Sequence, residues 1–260
     1  MLTKLMKHDI KNMGRLLLPL NAIVLLMTLA GVILRATGLF DLENVGPLLG
    51  ILLTTYVIGM AVIAVVSYFY PIIHYYRNLF SRQGYLTFTL PVSTWKILLS
   101  KTVVGFGWYL VKITVALFSV WAITGFMRIP SHYLANINMY LMREIEMTFS
   151  TLVTWTVVVM LTSLLWSLLT AYFSISIGQL YAKHKIIASV VAYVAIYTLM
   201  QILVTIVLLP FLMTGAMVNG PGVHTVVSVS FYSTLIFTIV FSILFYIFSG
   251  IIIKKKVNLD

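Results

Sequence analysis

The sequence predicts an all-α polytopic membrane protein, six transmembrane helices preceded by an N-terminal interfacial helix, with both termini cytoplasmic. Three observations carry that reading. Of 260 residues, 61% are hydrophobic and only 9% charged, where a soluble domain is about half apolar and a quarter charged. The apolar residues fall in runs of about 20 or more, the length of one bilayer crossing. Lys and Arg gather in alternate connections, as they do in chains oriented by cationic cytoplasmic loops. So much apolar side chain excludes disorder. With no cysteine, neither a disulfide framework nor a Cys-ligated metal site can form. A net charge of +11 would raise nucleic-acid binding in a soluble protein. Here the cytoplasmic loops account for it, and no nucleic-acid partner is expected.

Residues 1–15 read as an amphipathic helix in the headgroup layer. Leu2, Leu5, Met6, Ile10 and Met13 recur at three- and four-residue spacing, with Lys4, Lys7, Lys11 and Arg15 on the other face. The apolar run 16–34 is too long for the core of a signal peptide and reads as a retained first span. Five more spans are expected at about 47–73, 102–127, 149–177, 186–211 and 227–253, making 1–260 a single transmembrane domain. Pro47 suits the first turn of its helix, where a missing N–H is harmless. Pro210, with Asn219, Gly220, Pro221 and Gly222, divides the long uncharged stretch after Ile186 into two spans. Gly46 and Gly50 form a GxxxG expected to pack within the chain in preference to dimerisation. Between spans three and four, Ser131 is placed to cap a short helix in which Leu134, Ile137, Leu141 and Ile145 share a face against the outer leaflet.

Orientation follows from the cations. Thirteen lie in the N-terminal segment, the 74–101 and 178–185 connections and the C-terminal tail. Only Arg35, Arg128 and Arg143 lie in the opposite set. This asymmetry places the chain in a cell membrane with both ends inside.

Enzymatic readings fail on inventory. There is no GxxxxGK[ST] to cradle a phosphate and no HExxH to hold zinc. The five His are scattered, and the six carboxylates all fall in loops or termini. No metal or cofactor is expected on this chain. Lys112 is the sharpest single residue. About ten residues into the third span at about 1.5 Å each, it sits near the bilayer middle. A charge there faces a bundle interior or watery cavity, which makes Lys112 a translocation-pathway candidate. The opposing reading is that its side chain snorkels to an interface.

The most informative stretch is the cytoplasmic connection from His74 to Lys101, HYYRNLFSRQGYLTFTLPVSTWKILLSK. A solvated loop would not carry Leu79, Phe80, Tyr85, Leu86, Phe88 and Leu90 within twelve residues. These side chains need burial against a membrane surface or a partner. Gly84 and Pro91 bracket a compact unit, rimmed by Arg77, Arg82 and Lys96. Residues 76–96 thus read as a coupling region, and a short helix set into a groove of a second protein is its best physical solution.

The run Gly84-Tyr85-Leu86-Thr87-Phe88-Thr89-Leu90-Pro91-Val92 resembles the GYLTxTLPV motif of ABC type 2 exporter permeases, particularly small Gram-positive ones. The layout of an interfacial helix, six spans and a connection between spans two and three is similar to theirs as well. Gln83 departs from the acidic residue that many members carry before the glycine. The resemblance implies a permease that pairs with a second copy or a close paralogue. Each permease docks on a separate cytoplasmic ATPase that binds ATP and Mg²⁺. The docking element maps to Arg82, Gly84, Tyr85, Leu86, Thr87, Phe88 and Pro91. Members export antibiotics, lipids, glycan precursors or peptides; the short outer connections here favour an amphipathic or hydrophobic peptide. An ATP-independent secondary transporter or channel is the alternative, although only Lys112 offers it an intramembrane charge.

Overall fold

Inside a bilayer the backbone has no water to bond, so long apolar runs must close their own hydrogen bonds as helices. The computed structural model describes residues 2–37, 46–81, 84, 92–124, 131–181, 183–216 and 223–256. Among these, every regular element is an α-helix. The sequence reads as one transmembrane domain; the structure divides it into two compact units, Met1–Arg128 and Ile129–Asp260. The first contains α1 (Leu2–Ala36), α2 (Gly46–Phe80) and α3 (Thr94–Ile123). The second contains α4 (Ser131–Glu144), α5 (Phe149–Gly178), α6 (Lys185–Ala216) and α7 (Val223–Lys256). Six of these seven helices are long and apolar enough to cross a bilayer, which makes this a multi-pass membrane protein. The seventh, α4, is the short helix expected from Ser131, with Leu134, Leu141 and Ile145 half-buried and Ile137 turned outward.

Large apolar side chains cover the outer faces of the long helices. Val57, Leu117, Ile186 and Ile206 are each more than 60% exposed, which water would penalise and hydrocarbon does not. The helices outrun the predicted spans. The amphipathic N-terminal segment does not end where the first span begins, because both belong to α1, 35 residues long. At 1.5 Å per residue that is about 52 Å, against a hydrocarbon layer of about 30 Å. The reason lies in its buried stripe. Asp9, Met13, Leu17, Asn21, Val24 and Thr28 recur every three or four residues without a break at residue 15. Asp9 therefore faces inward, and Ile10, assigned to the apolar face, is 51% exposed.

Prolines do not end the helices either. Pro19, Pro71 and Pro210 lie inside α1, α2 and α6, so the predicted break at Pro210 falls later, after Ala216. Neighbouring helices and hydroxyl side chains make such interruptions tolerable in membranes. The GxxxG expectation is corrected at Gly50, where an added Cβ would meet nothing within 4 Å.

In the first unit, α1 and α3 run parallel and α2 runs antiparallel to both. Gly14 faces Trp108 and Gly31 faces Ile123, so that a Cβ at either would stand 3.3 or 3.1 Å from its neighbour. The second unit repeats this arrangement with α5 and α7 parallel and α6 antiparallel. Trp155 meets Tyr232 near one end, and Phe173 stacks on Phe245 near the other at 4.9 Å. Thr238, Ser242, Phe245 and Ser249 form the buried face of α7; small residues there let helices approach closely. The turn from α5 to α6 depends on Gly178, whose missing Cβ would lie 2.0 Å from Ser189 Oγ and 2.6 Å from its backbone nitrogen.

Candidate functional site

Of the residues that the resemblance assigns to docking, Arg82, Tyr85, Leu86, Thr87, Phe88 and Pro91 lie outside the described residues. Gly84 is described and buried. Its N–H donates to the Ser81 carbonyl at 2.7 Å, and an added Cβ would stand 2.3 Å from the Leu79 carbonyl oxygen. No side chain fits that approach without moving backbone, so the motif opens with glycine for a steric reason.

The helix ends that carry this connection are tied together by buried charge. Asp9 of α1 is 1% exposed and Lys101 of α3 is 4% exposed. The Lys101 ammonium donates to Asp9 Oδ1, and the Ser100 hydroxyl donates to Oδ2 at 2.9 Å. His74 of α2 places Nε2 3.6 Å from the same Oδ1 and 2.8 Å from Asn78 Nδ2. Two charges removed from water are held only if paired and hydrogen-bonded, and this pair has both. Each helix contributes from the end nearest the 81–93 connection: α1 and α3 from the third turn after their starts, α2 from the second turn before its end. A cavity of about 100 Å³ beside the cluster is lined by Asn12, Tyr70, His74, Arg77 and Asn78.

Sequence reasoning missed this cluster. Asp9 read as one of six carboxylates in loops or termini, Lys101 as a loop cation and His74 as one of five scattered histidines. The available signal was the spacing of Asp9 with Met13, Leu17, Asn21, Val24 and Thr28, a polar and apolar stripe that continues into the span.

Further along the same helices, polar contacts recur at intervals. The Tyr109 hydroxyl donates to the Tyr68 carbonyl at 2.7 Å, in the turn before Pro71, and the two rings stack with centroids 5.6 Å apart. Lys112 is half-buried, and its ammonium donates to the Ala64 carbonyl at 2.8 Å. Lying eleven residues after Lys101, it is about 16 Å further along α3. The side chain is therefore directed at the middle of α2. Among the described residues no carboxylate forms an ion pair with it. Beyond it, the Ser119 hydroxyl bonds that of Thr28 and lies 2.5 Å from that of Tyr56. Arg35 closes the far end by donating to the Ile123 carbonyl at 3.0 Å.

What this arrangement can do is mechanical and electrostatic. Among the described residues, no cluster of His, Asp or Glu is grouped to hold a metal ion. The set instead fixes three helices to one another from end to end, with the Lys112 ammonium on a backbone carbonyl halfway. No family model, no curated protein and no solved structure matches the chain.

Proposed function

We propose that the chain is the transmembrane permease subunit of an ATP-driven ABC exporter, moving an amphipathic or hydrophobic peptide outward across the cell membrane. The GYLTFTLPV run from Gly84 to Val92 carries this reading. It leaves the membrane from helix ends braced by Asp9, Lys101 and His74, which is the mounting that a lever requires. Arg82, Tyr85, Leu86, Thr87, Phe88 and Pro91 seat in a groove of a separate cytoplasmic ATPase, which binds ATP and Mg²⁺. Two permeases, identical or closely related, assemble with two ATPases. Closure of the ATPases displaces the connection, and α1 and α3, cross-linked along their length, transmit the displacement as a body. Lys112 lines the path that opens against α2 and offers an anionic or carbonyl-rich cargo a partner halfway across.

Affinity purification in mild detergent tests this directly. The chain is expected to bring an ATPase with it. Leu86→Glu with Phe88→Glu is expected to abolish that association while leaving membrane insertion intact. Full ATP-driven transport by the double variant would overturn the docking assignment. A second reading, ATP-independent secondary transport, draws on Lys112 alone, a charge at mid-helix with no carboxylate partner among the described residues. Transport by the purified chain under an ion gradient, with no ATPase present, would favour it.

A further inference from the structure

In the second unit, at the end away from the C-terminal residues, the end of α4, the α4–α5 connection and the opening two or three turns of α5 and α7 line an open pocket of about 450 Å³. That is the size of a small-ligand pocket. Its walls are aromatic. Trp155 and Tyr232 stand nearly perpendicular, planes at 78° and centroids 4.6 Å apart, and Phe231 lies 6.1 Å from Trp155. The mouth carries Glu146. Among the described residues no Lys or Arg lines the cavity, and His224 does.

Glu146 is unusual in two ways. Its φ of 58° lies in the left-handed region that side chains with a β-carbon avoid. Among the described residues it also has no ion-pair partner, since neighbouring Arg143 turns to Glu144 at 4.0 Å. A carboxylate is thus held, without a counter-charge, at the rim of three aromatic rings.

We propose that this cavity binds an organic ammonium group, seated against Trp155 and Tyr232 with its charge balanced by Glu146. Ring faces attract weakly hydrated cations through their quadrupole, and the tryptophan face does so most strongly. An alkylated ammonium gives up little hydration to enter. A bare sodium ion would exchange a full water shell for one carboxylate, so it is a poor occupant. The site stands independently of the export reading, because neither the cavity nor its ligand requires an ATPase. If the alternation of cationic loops orients the chain as the sequence indicates, this end faces outward.

The test uses the full chain in nanodiscs of phosphatidylglycerol, titrated with choline at constant ionic strength. Saturable binding is expected, together with binding at least about tenfold weaker for the neutral isostere dimethylbutanol. Glu146→Gln keeps the side-chain length and backbone demand and removes the charge; it is expected to weaken choline binding by about tenfold or more. Trp155→Leu should do the same, while Trp155→Tyr, which keeps a ring, should retain binding and shows that the region still folds. Absence of saturation overturns the proposal. So does equal binding of the isostere, or an unchanged Glu146→Gln. Adding phosphatidylcholine to the nanodiscs separates two sources of the cation. A rise in apparent Kd for choline places a lipid headgroup in the site, and no rise reserves it for a soluble ammonium compound. Both outcomes support the site. Choline binding that survives loss of ATPase association leaves this site standing without the export reading, and the reverse result leaves export standing without the site.

Discussion

Asp9 and Lys101, separated by 92 residues in sequence, form a buried ion pair that joins two parallel helices near their N-terminal ends. The contact exists only because α1 and α3 run in the same direction, so that the N-terminal segment and the start of α3 reach the same end of the unit. Ser100 and His74 complete the surroundings of the carboxylate.

Removing one partner of this pair leaves the other buried and uncompensated. Asp9→Asn or Lys101→Met should therefore destabilise the first unit by about 3–5 kcal/mol. Replacing both, as Asp9→Leu with Lys101→Met, should cost less than either single change, since no orphaned charge remains. Thermal unfolding in detergent, followed by tryptophan fluorescence, checks both statements. Single variants that melt with the wild type would show that the pair does not hold the helices.

Gly84→Ala should spare membrane insertion and disturb what lies beyond it. The added methyl would stand 2.3 Å from the Leu79 carbonyl oxygen, and relief of such crowding costs about 1–3 kcal/mol. Because Leu79 belongs to the end of α2, the simplest relief is a displaced connection. Under the proposed export function, expression and insertion at normal level with a clear fall in cargo-stimulated ATP hydrolysis is the expected pattern. Wild-type stimulation would mean that the connection tolerates the shift.

Under the proposed export function, Lys112→Met should change cargo-stimulated turnover more than it changes expression. The substitution preserves chain length and removes the ammonium that bonds the Ala64 carbonyl. Lys112→Arg, which keeps the charge, should restore part of the lost turnover. If Met, Arg and Lys support equal turnover, the residue serves packing alone.

Gly178→Ala should loosen the α5–α6 hairpin by about 1–3 kcal/mol through overpacking. Adding Ser189→Ala removes the hydroxyl 2.0 Å away but leaves the backbone nitrogen at 2.6 Å. The double variant is accordingly expected to recover only part of the loss. Complete recovery would locate the clash in the hydroxyl, and no loss at all would refute the close approach. Melting temperatures of the three proteins decide the matter.

The six membrane-crossing helices were legible because hydrocarbon demands the same thing of every span: length and apolarity, both local properties of sequence. Helix α4 was legible as well, from Ser131 and an apolar spacing of three and four. The brace was not. An aspartate among lysines in an amphipathic segment has the appearance of a solvated face, and nothing near Asp9 names a partner in α3. Lys101 misled in the complementary way. As a charge at the edge of an apolar run it marked a boundary, whereas α3 begins at Thr94 and buries it. Pair contacts of this kind depend on which helices are neighbours and in which direction they run, and a single sequence does not display that.

The parallel placement of α1 and α3 has one more consequence. They are fastened at Asp9 with Lys101, at Thr28 with Ser119 and at Arg35 with Ile123. Sliding one past the other would break all three fastenings together, so the two behave as a single strut. Whatever flexing the first unit undergoes must then be absorbed by α2, whose ties to the strut include a lysine on a carbonyl and two tyrosine hydroxyls. These are single hydrogen bonds, which can break and re-form one at a time.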